Sequence, residues 1–253
     1  MFFIPLIFFI LGAIIASFVG VIVARMNTDQ SFLFGRSRCD ACNAPLSAVA
    51  LVPIISYFTS NRRARCCGAR ISFYAPLTEI LLGGLFVLAY FSIGFGSALF
   101  FMLISLSLLL ALVLYDFAHQ ILPPTPLALF VAASALTGFL LSPSFAAFLD
   151  SLLVAFGTGL FLALIHFFSG GRCMGLADAP FAFGLALLVG PAAFPGFVFS
   201  FWVGAAIGLL LLARRPRSFR MNSEVPFAPF LAAGFLLAYF TQWNPFAYIA
   251  LLH

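Results

Sequence analysis

Two aspartates stand where apolar runs of this chain end. Asp116 closes one run in Tyr115-Asp116-Phe117-Ala118-His119, and Asp178 ends the connector Gly175-Leu176-Ala177-Asp178 ahead of another. Two carboxyl groups sharing a site cannot both ionise easily. One holds a proton while its neighbour acts as a base, and together they can drive a water onto an amide carbonyl. That chemistry needs no metal and no nucleophilic side chain. The competing reading is structural: each aspartate caps a helix or reaches for interfacial water, and Asp178 is placed to be an N-cap, a position that Asp favours. Gly175 lets the backbone come close to the second carboxylate. A separate reactive set is Cys39-x-x-Cys42 with the adjacent pair Cys66-Cys67. Thiolates at the first spacing supply half of a tetrahedral zinc site; the alternative is a loop with free thiols. Cys173 stands alone beside the second aspartate and reads as a buried thiol.

The elements that must position these groups are membrane helices. The 253 residues are 64% hydrophobic and 8% charged, against roughly 25% charged in a soluble domain. A soluble core is excluded. A span takes about 20 apolar residues, and the runs are Met1–Ala24, Pro76–Ile93, Ala98–Tyr115, Leu127–Leu141, Phe145–Phe168, Ala179–Ala213 and Pro226–Leu252. The first run carries no charge and reads as a retained span, since a cleaved signal peptide has a basic start and a shorter apolar core. Arg25–Ala75 is polar and long enough for a small extramembrane domain.

Ala179–Ala213 is too long for one ordinary span and short for two. Gly190-Pro191 and Pro195-Gly196 read as a turn inside it. The twelve arginines decide the matter, because basic residues collect in cytoplasmic loops. With two short spans here, all twelve fall on one side. With one span, the four in Arg214–Arg220 fall on the other. The expected fold is therefore an all-α integral membrane protein of about eight transmembrane helices, with a small cytoplasmic cysteine domain after the first. The divisions are 1–24 first span, 25–75 cysteine domain and 76–253 membrane-embedded catalytic domain. Both termini lie outside. Two spans separate Asp116 from Asp178, so both aspartates are expected at the cytoplasmic face.

Several motifs in one order resemble the type IV prepilin peptidases, membrane aspartyl proteases of the Gly-x-Gly-Asp class. Asp116 with Ile121-Leu122-Pro123 resembles the first aspartate motif, and Gly175-Leu176-Ala177-Asp178 the second. Glu224-Val225-Pro226-Phe227-Ala228-Pro229-Phe230 resembles the closing Ile-Pro-Phe-Gly-Pro-Phe. Arg38-Cys39-Asp40-Ala41-Cys42 and Cys67-Gly68-Ala69-Arg70-Ile71-Ser72, then Pro76 and Glu79, resemble the cytoplasmic domain, and Gly20–Arg25 the end of the first span. The resemblance implies an endopeptidase with Asp116 and Asp178 catalytic. Its substrates are the leaders of type IV prepilins or type II secretion pseudopilins at the bacterial inner membrane, and no cofactor serves proteolysis. It also implies a second activity, N-methylation with S-adenosylmethionine, and a zinc site on Cys39, Cys42, Cys66 and Cys67. Two departures stand out. Ala177 replaces the second motif glycine, adding a methyl where the backbone bends. Ala64 stands where a second Cys-x-x-Cys would begin, so Cys66 and Cys67 serve only if the local backbone is bent.

Other polar residues have plainer readings. Glu79 is either an interfacial acid or a neighbour of the dyad or of Arg70. Asp150 is expected near the outer face, away from the dyad. His119 shares a helical face with Asp116 if that helix continues, though no third metal ligand is evident. Arg62, Arg63 and Arg65 mark the inside and would attract acidic lipid headgroups. Expected partners are the pilin substrates and membrane lipid, and no nucleic acid. The rival class is an ion- or proton-coupled transporter, for which intramembrane acids are also typical. It wants polar groups along the depth of the membrane and often two similar halves; this chain has no internal repeat. A purely structural subunit of a secretion machine is a third possibility and predicts neither cleavage nor flux.

Overall fold

A backbone with no water to bond must satisfy itself, so the apolar runs become helices. A computed structural model describes residues 3–26, 39, 41–42, 44–45, 47, 52–60, 62–172, 174–213 and 226–244. Arg38, Asp40, Cys173, Arg214–Arg220, Glu224 and Val225 lie outside them. Among the described residues the helices are α1 (Phe3–Arg25), the short α2 (Ile55–Thr59), α3 (Tyr74–Ile93), α4 (Ser97–His119), α5 (Pro124–Leu141), α6 (Phe145–Ser169), α7 (Asp178–Val189), α8 (Ala193–Ala213) and α9 (Ala228–Thr241). The protein is an all-α integral membrane protein. Among the described residues six helical runs are long and apolar enough to cross a membrane, with Asp178–Leu210 taken as one run and α9 a shorter apolar helix.

The chain forms two compact units, Met1–Gly94 and Phe95–His253. In the first, α1 and α3 are antiparallel. Phe8 stacks on Tyr90 with ring centroids 4.9 Å apart, and a Cβ on Gly12 would lie 2.8 Å from the Gly83 Cα. Small residues at a crossing let two backbones touch, which is how apolar helices associate without a hydrophobic drive. Glu79, buried on α3, accepts a hydrogen bond from the Ile54 N–H at 2.7 Å and one from the Ser17 side chain. It ties the loop before α2 to the α1–α3 pair.

In the second unit α7 is the central element. Phe181, Ala182 and Gly184 through Val189 are all buried, so no face of it is polar. It runs parallel to α5: Phe130 packs against Phe181 at 5.6 Å and across Gly184, while Gly138 meets the Leu187 carbonyl further along. It runs antiparallel to α6, with Gly159 near Ala179 and Ser151 near Gly190. The expected turn inside the 35-residue apolar run is at Gly190, whose φ of 56° ends α7 and starts a 3-10 turn through Ala192. α8 then runs back. Its Gly196 lies against Phe235, its Ser200 hydroxyl donates to the Leu231 carbonyl at 3.2 Å, and Phe201 reaches Phe227 near the start of α9.

The connector after Asp116 is shorter than its polar composition suggests. α4 continues to His119, where Gln120 in the left-handed region ends it. α5 starts at Pro124, because proline suits the first turn of a helix.

Candidate active site

Asp116 lies in the last turn of α4 and is 6% exposed. Its Oδ2 accepts a hydrogen bond from the Ala228 N–H at 3.2 Å. Ala228 opens α9 after Phe227. The first amides of a helix have no partner within it, so the start of α9 has a donor free for the carboxylate.

Asp178 is the first residue of α7 and is half-buried. Its Oδ2 accepts from the Gly175 N–H at 3.2 Å, a group outside the helix. The carboxylate therefore turns back toward the connector, and no side-chain cap is formed at this helix start. The connector is held from behind. His166 on α6 bonds the Met174 carbonyl at 2.8 Å through Nδ1; a carbonyl only accepts, so Nδ1 carries the proton. Gly170 and Gly171, with φ of 60° and 76°, reverse the chain between them.

The two aspartates share one end of this unit. α4 ends there, α7 begins there, and Asp116 lies within electrostatic reach of Asp178. Two carboxyl groups set this way can share a proton, polarise a carbonyl and activate water. Asp150 is exposed near the start of α6, toward the Gly190 end and away from the pair. His119 does lie on the extended α4, but its ring packs on Tyr115 at 4.4 Å.

The four cysteines of the first unit come together as a cluster. Their sulfurs all lie within 4.8 Å of one another, and they form the only such metal-competent group among the described residues. Cys39 Sγ is 3.8 Å from Cys67 Sγ, Cys42 Sγ is 3.3 Å from Cys66 Sγ, and Cys66 Sγ is 3.9 Å from Cys67 Sγ. A tetrahedral zinc with Zn–S near 2.3 Å sets its sulfurs about 3.8 Å apart, so the group fits one such ion. The bend that adjacent cysteines require is present. Ala64 N–H donates to the Ala69 carbonyl, Gly68 N–H donates to the Ala64 carbonyl, both at 2.8 Å, and Gly68 takes φ 70°. The protons divide unevenly. Backbone amides of Ala41 and Cys42 bring the Cys39 thiol down to about 7. Hydrogen bonding to the Cys42 and Cys39 sulfurs pushes Cys66 up to about 12. At Cys67 the Ala69 backbone hydrogen bond acts downward, but burial and hydrogen bonding to the Cys42 and Cys39 sulfurs outweigh it and the thiol is raised.

Comparison with known proteins gives this geometry a family. Residues 10–93 match the family described as Bacterial Peptidase A24 N-terminal domain. Over 244 residues the chain is 32% identical to the prepilin leader peptidase/N-methyltransferase of Bacillus subtilis, covering 92% of each chain. The chain belongs to the prepilin leader peptidase/N-methyltransferase family. It is also 28% identical to the protein of that name from Legionella pneumophila over 208 residues, covering 81% of this chain and 72% of the other. The Myxococcus xanthus protein of that name is 38% identical over 115 residues, 46% of this chain and 34% of that one. No solved structure matches.

Against the prepilin peptidase pattern, the departure at Ala177 imposes no backbone strain. Ala177 sits at φ −69°, ψ −17°, ordinary right-handed backbone that any residue adopts. At Gly175 a Cβ would lie 3.5 Å from Asp178 Oδ2, an ordinary contact. Residue types alone do not signal the Ala228 amide or His166. The first is a backbone group, found only through the place of Pro226–Phe230 in the fold. The second has one sequence cue, a histidine just ahead of Gly170-Gly171.

Proposed function

We propose that this protein is a membrane aspartyl endopeptidase that removes the leader of type IV prepilins or type II secretion pseudopilins. The observation that carries the reading is the convergence of Asp116 and Asp178 at one end of the second unit, each steadied by a backbone amide. One carboxylate takes a proton from water while the other, protonated, donates to the scissile carbonyl oxygen. On collapse of the tetrahedral adduct the leaving amine takes up a proton and the carboxyls return to their starting state. A substrate with a basic leader in the cytoplasm and an apolar helix in the bilayer presents its scissile bond at the membrane boundary. The arginine distribution in the sequence supports a topology with both aspartates and the cysteine module at the cytoplasmic face of the bacterial inner membrane and both termini periplasmic. Residues 76–253 form the peptidase domain in this account, although α3 packs with α1.

Cys39, Cys42, Cys66 and Cys67 hold a structural zinc in this proposal. It staples a module too small to be stable on its apolar core alone and takes no part in hydrolysis. The relatives' name includes N-methylation, so the cut substrate is the natural acceptor of a methyl group from S-adenosylmethionine. The test is to incubate the purified protein with a leader-bearing pilin and S-adenosylmethionine and weigh the product. A pilin shortened by its leader supports the peptidase. A product one methylene heavier adds the second activity. An uncut pilin, with proton-coupled flux in vesicles, favours a transporter and defeats the proposal.

A further inference from the structure

The short antiparallel turn before α3 carries a group of arginines that the proposed chemistry does not use. Tyr57, Arg62, Arg63, Arg70, Ile71 and Phe73 line an open cleft of about 450 Å³. Arg63 and Arg70 sit directly opposite each other in an antiparallel bridge, where like charges repel. All three arginines are exposed, and among the described residues no carboxylate partners any of them. Glu79, the nearest acid in sequence, has its Oε2 taken by the Ile54 amide.

The depth of the cleft is set by its attachments. Ile71 and Phe73 immediately precede α3, which begins at Tyr74 and is apolar enough to cross a membrane. Ile54, at the start of α2, bonds to Glu79, five residues into α3 and so about 7.5 Å along its axis. Both walls of the cleft therefore lie level with the first turns of a spanning helix. Around the arginines, Ile55, Phe58, Phe73 and Tyr74 are all more than half exposed. Apolar and aromatic side chains beside basic ones are the signature of a surface at the headgroup boundary.

We propose that this cleft binds the phosphate-bearing headgroup of an anionic membrane lipid. Guanidinium groups grip phosphate oxygens in a two-pronged geometry that ammonium cannot match. The anion between Arg63 and Arg70 removes their mutual repulsion, and the fringe of Ile55, Phe58 and Phe73 meets the acyl region. A cationic methyl donor is a poor fit, because its sulfonium faces three positive charges. The site is independent of the peptidase reading, since every residue in it lies in the first unit.

The test uses the full-length protein in phosphatidylcholine nanodiscs doped with phosphatidylglycerol, with retained lipid counted by native mass spectrometry. Each basic residue near an anionic surface is worth about fivefold. Wild type should retain phosphatidylglycerol over phosphatidylcholine, and Arg63→Gln should lower that preference about fivefold. The triple Arg62→Gln/Arg63→Gln/Arg70→Gln variant should lower it on the order of a hundredfold. Arg65→Gln removes an exposed charge that does not line the cleft and should lower the preference clearly less than Arg63→Gln does. An equal loss at Arg65 would mean diffuse attraction and overturn the site. Competition by millimolar inorganic phosphate as effective as that by lipid would make this a free-anion site and overturn the lipid assignment. Unchanged retention in Arg63→Gln would overturn it outright. Metal content of the cysteine cluster checks the fold of each variant, and the single substitution keeps the test decisive if the triple one misfolds.

Discussion

Ala228→Pro removes the backbone donor that, among the described residues, reaches Asp116. Ala228 opens α9, where an amide has no partner in its own helix and proline is tolerated. The substitution thus removes the Ala228 N–H to Asp116 Oδ2 bond without breaking a helical bond, and because the ring carbon takes the place of the hydrogen at a fully buried site, the carboxylate must also step back. A hydrogen bond to a charged group is worth about 1.5–3 kcal/mol, and this one, at 3.2 Å, belongs at the lower end. At about 1.4 kcal/mol per decade, loss of the bond alone should slow cleavage roughly 10-fold, and displacement of the carboxylate adds to that. Phe227 must leave its helical backbone angles somewhat, which costs stability. Ala228→Gly is the control: it keeps the N–H, loses one methyl and adds up to about 1 kcal/mol of helix cost. Single-turnover cleavage of a leader-bearing pilin in detergent, with thermal unfolding of both variants, gives the comparison. A Pro variant that cleaves as fast as the Gly variant would refute the claim that this amide supports the dyad.

The cysteine cluster yields two further expectations. Rigorous chelation should leave proteolysis largely intact while exposing Cys39, Cys42, Cys66 and Cys67 to alkylation; loss of hydrolysis would instead put the metal in the reaction. Metal binding should strengthen with rising pH, because thiols surrender protons to bind. Below about 7 Cys39 also binds a proton that the metal must displace, so a plot of log affinity against pH in zinc titrations should steepen by one proton there. A pH-independent affinity would contradict thiolate ligation.

What the sequence made legible is what the membrane makes expensive. Acids are rare in apolar runs, so Asp116 and Asp178 stood out, and counting crossings put them at one end. Gly190-Pro191 marked the reversal between α7 and α8, because glycine alone readily takes a positive φ there. Other features depend on contacts between distant segments. The Ile54–Glu79 bond joins residues 25 apart and the Ala228–Asp116 bond joins residues 112 apart, and neither donor is a side chain. The convergence of Cys66 and Cys67 with the other two sulfurs was obscured by spacing rules, since adjacent side chains converge only when the turn from Ala64 to Gly68 wraps around them. α4 runs on to His119, where Gln120 in the left-handed region ends it, through a stretch whose composition reads as connector.

Single-turnover cleavage by Asp116→Asn and Asp178→Asn tests the dyad most directly. A carboxamide keeps the shape of each side chain but cannot pass a proton. Each substitution should slow cleavage on the order of 10²- to 10⁴-fold, with the double variant little worse than the poorer single one because the pair acts as a unit. Wild-type cleavage by either folded, membrane-inserted variant would contradict the account.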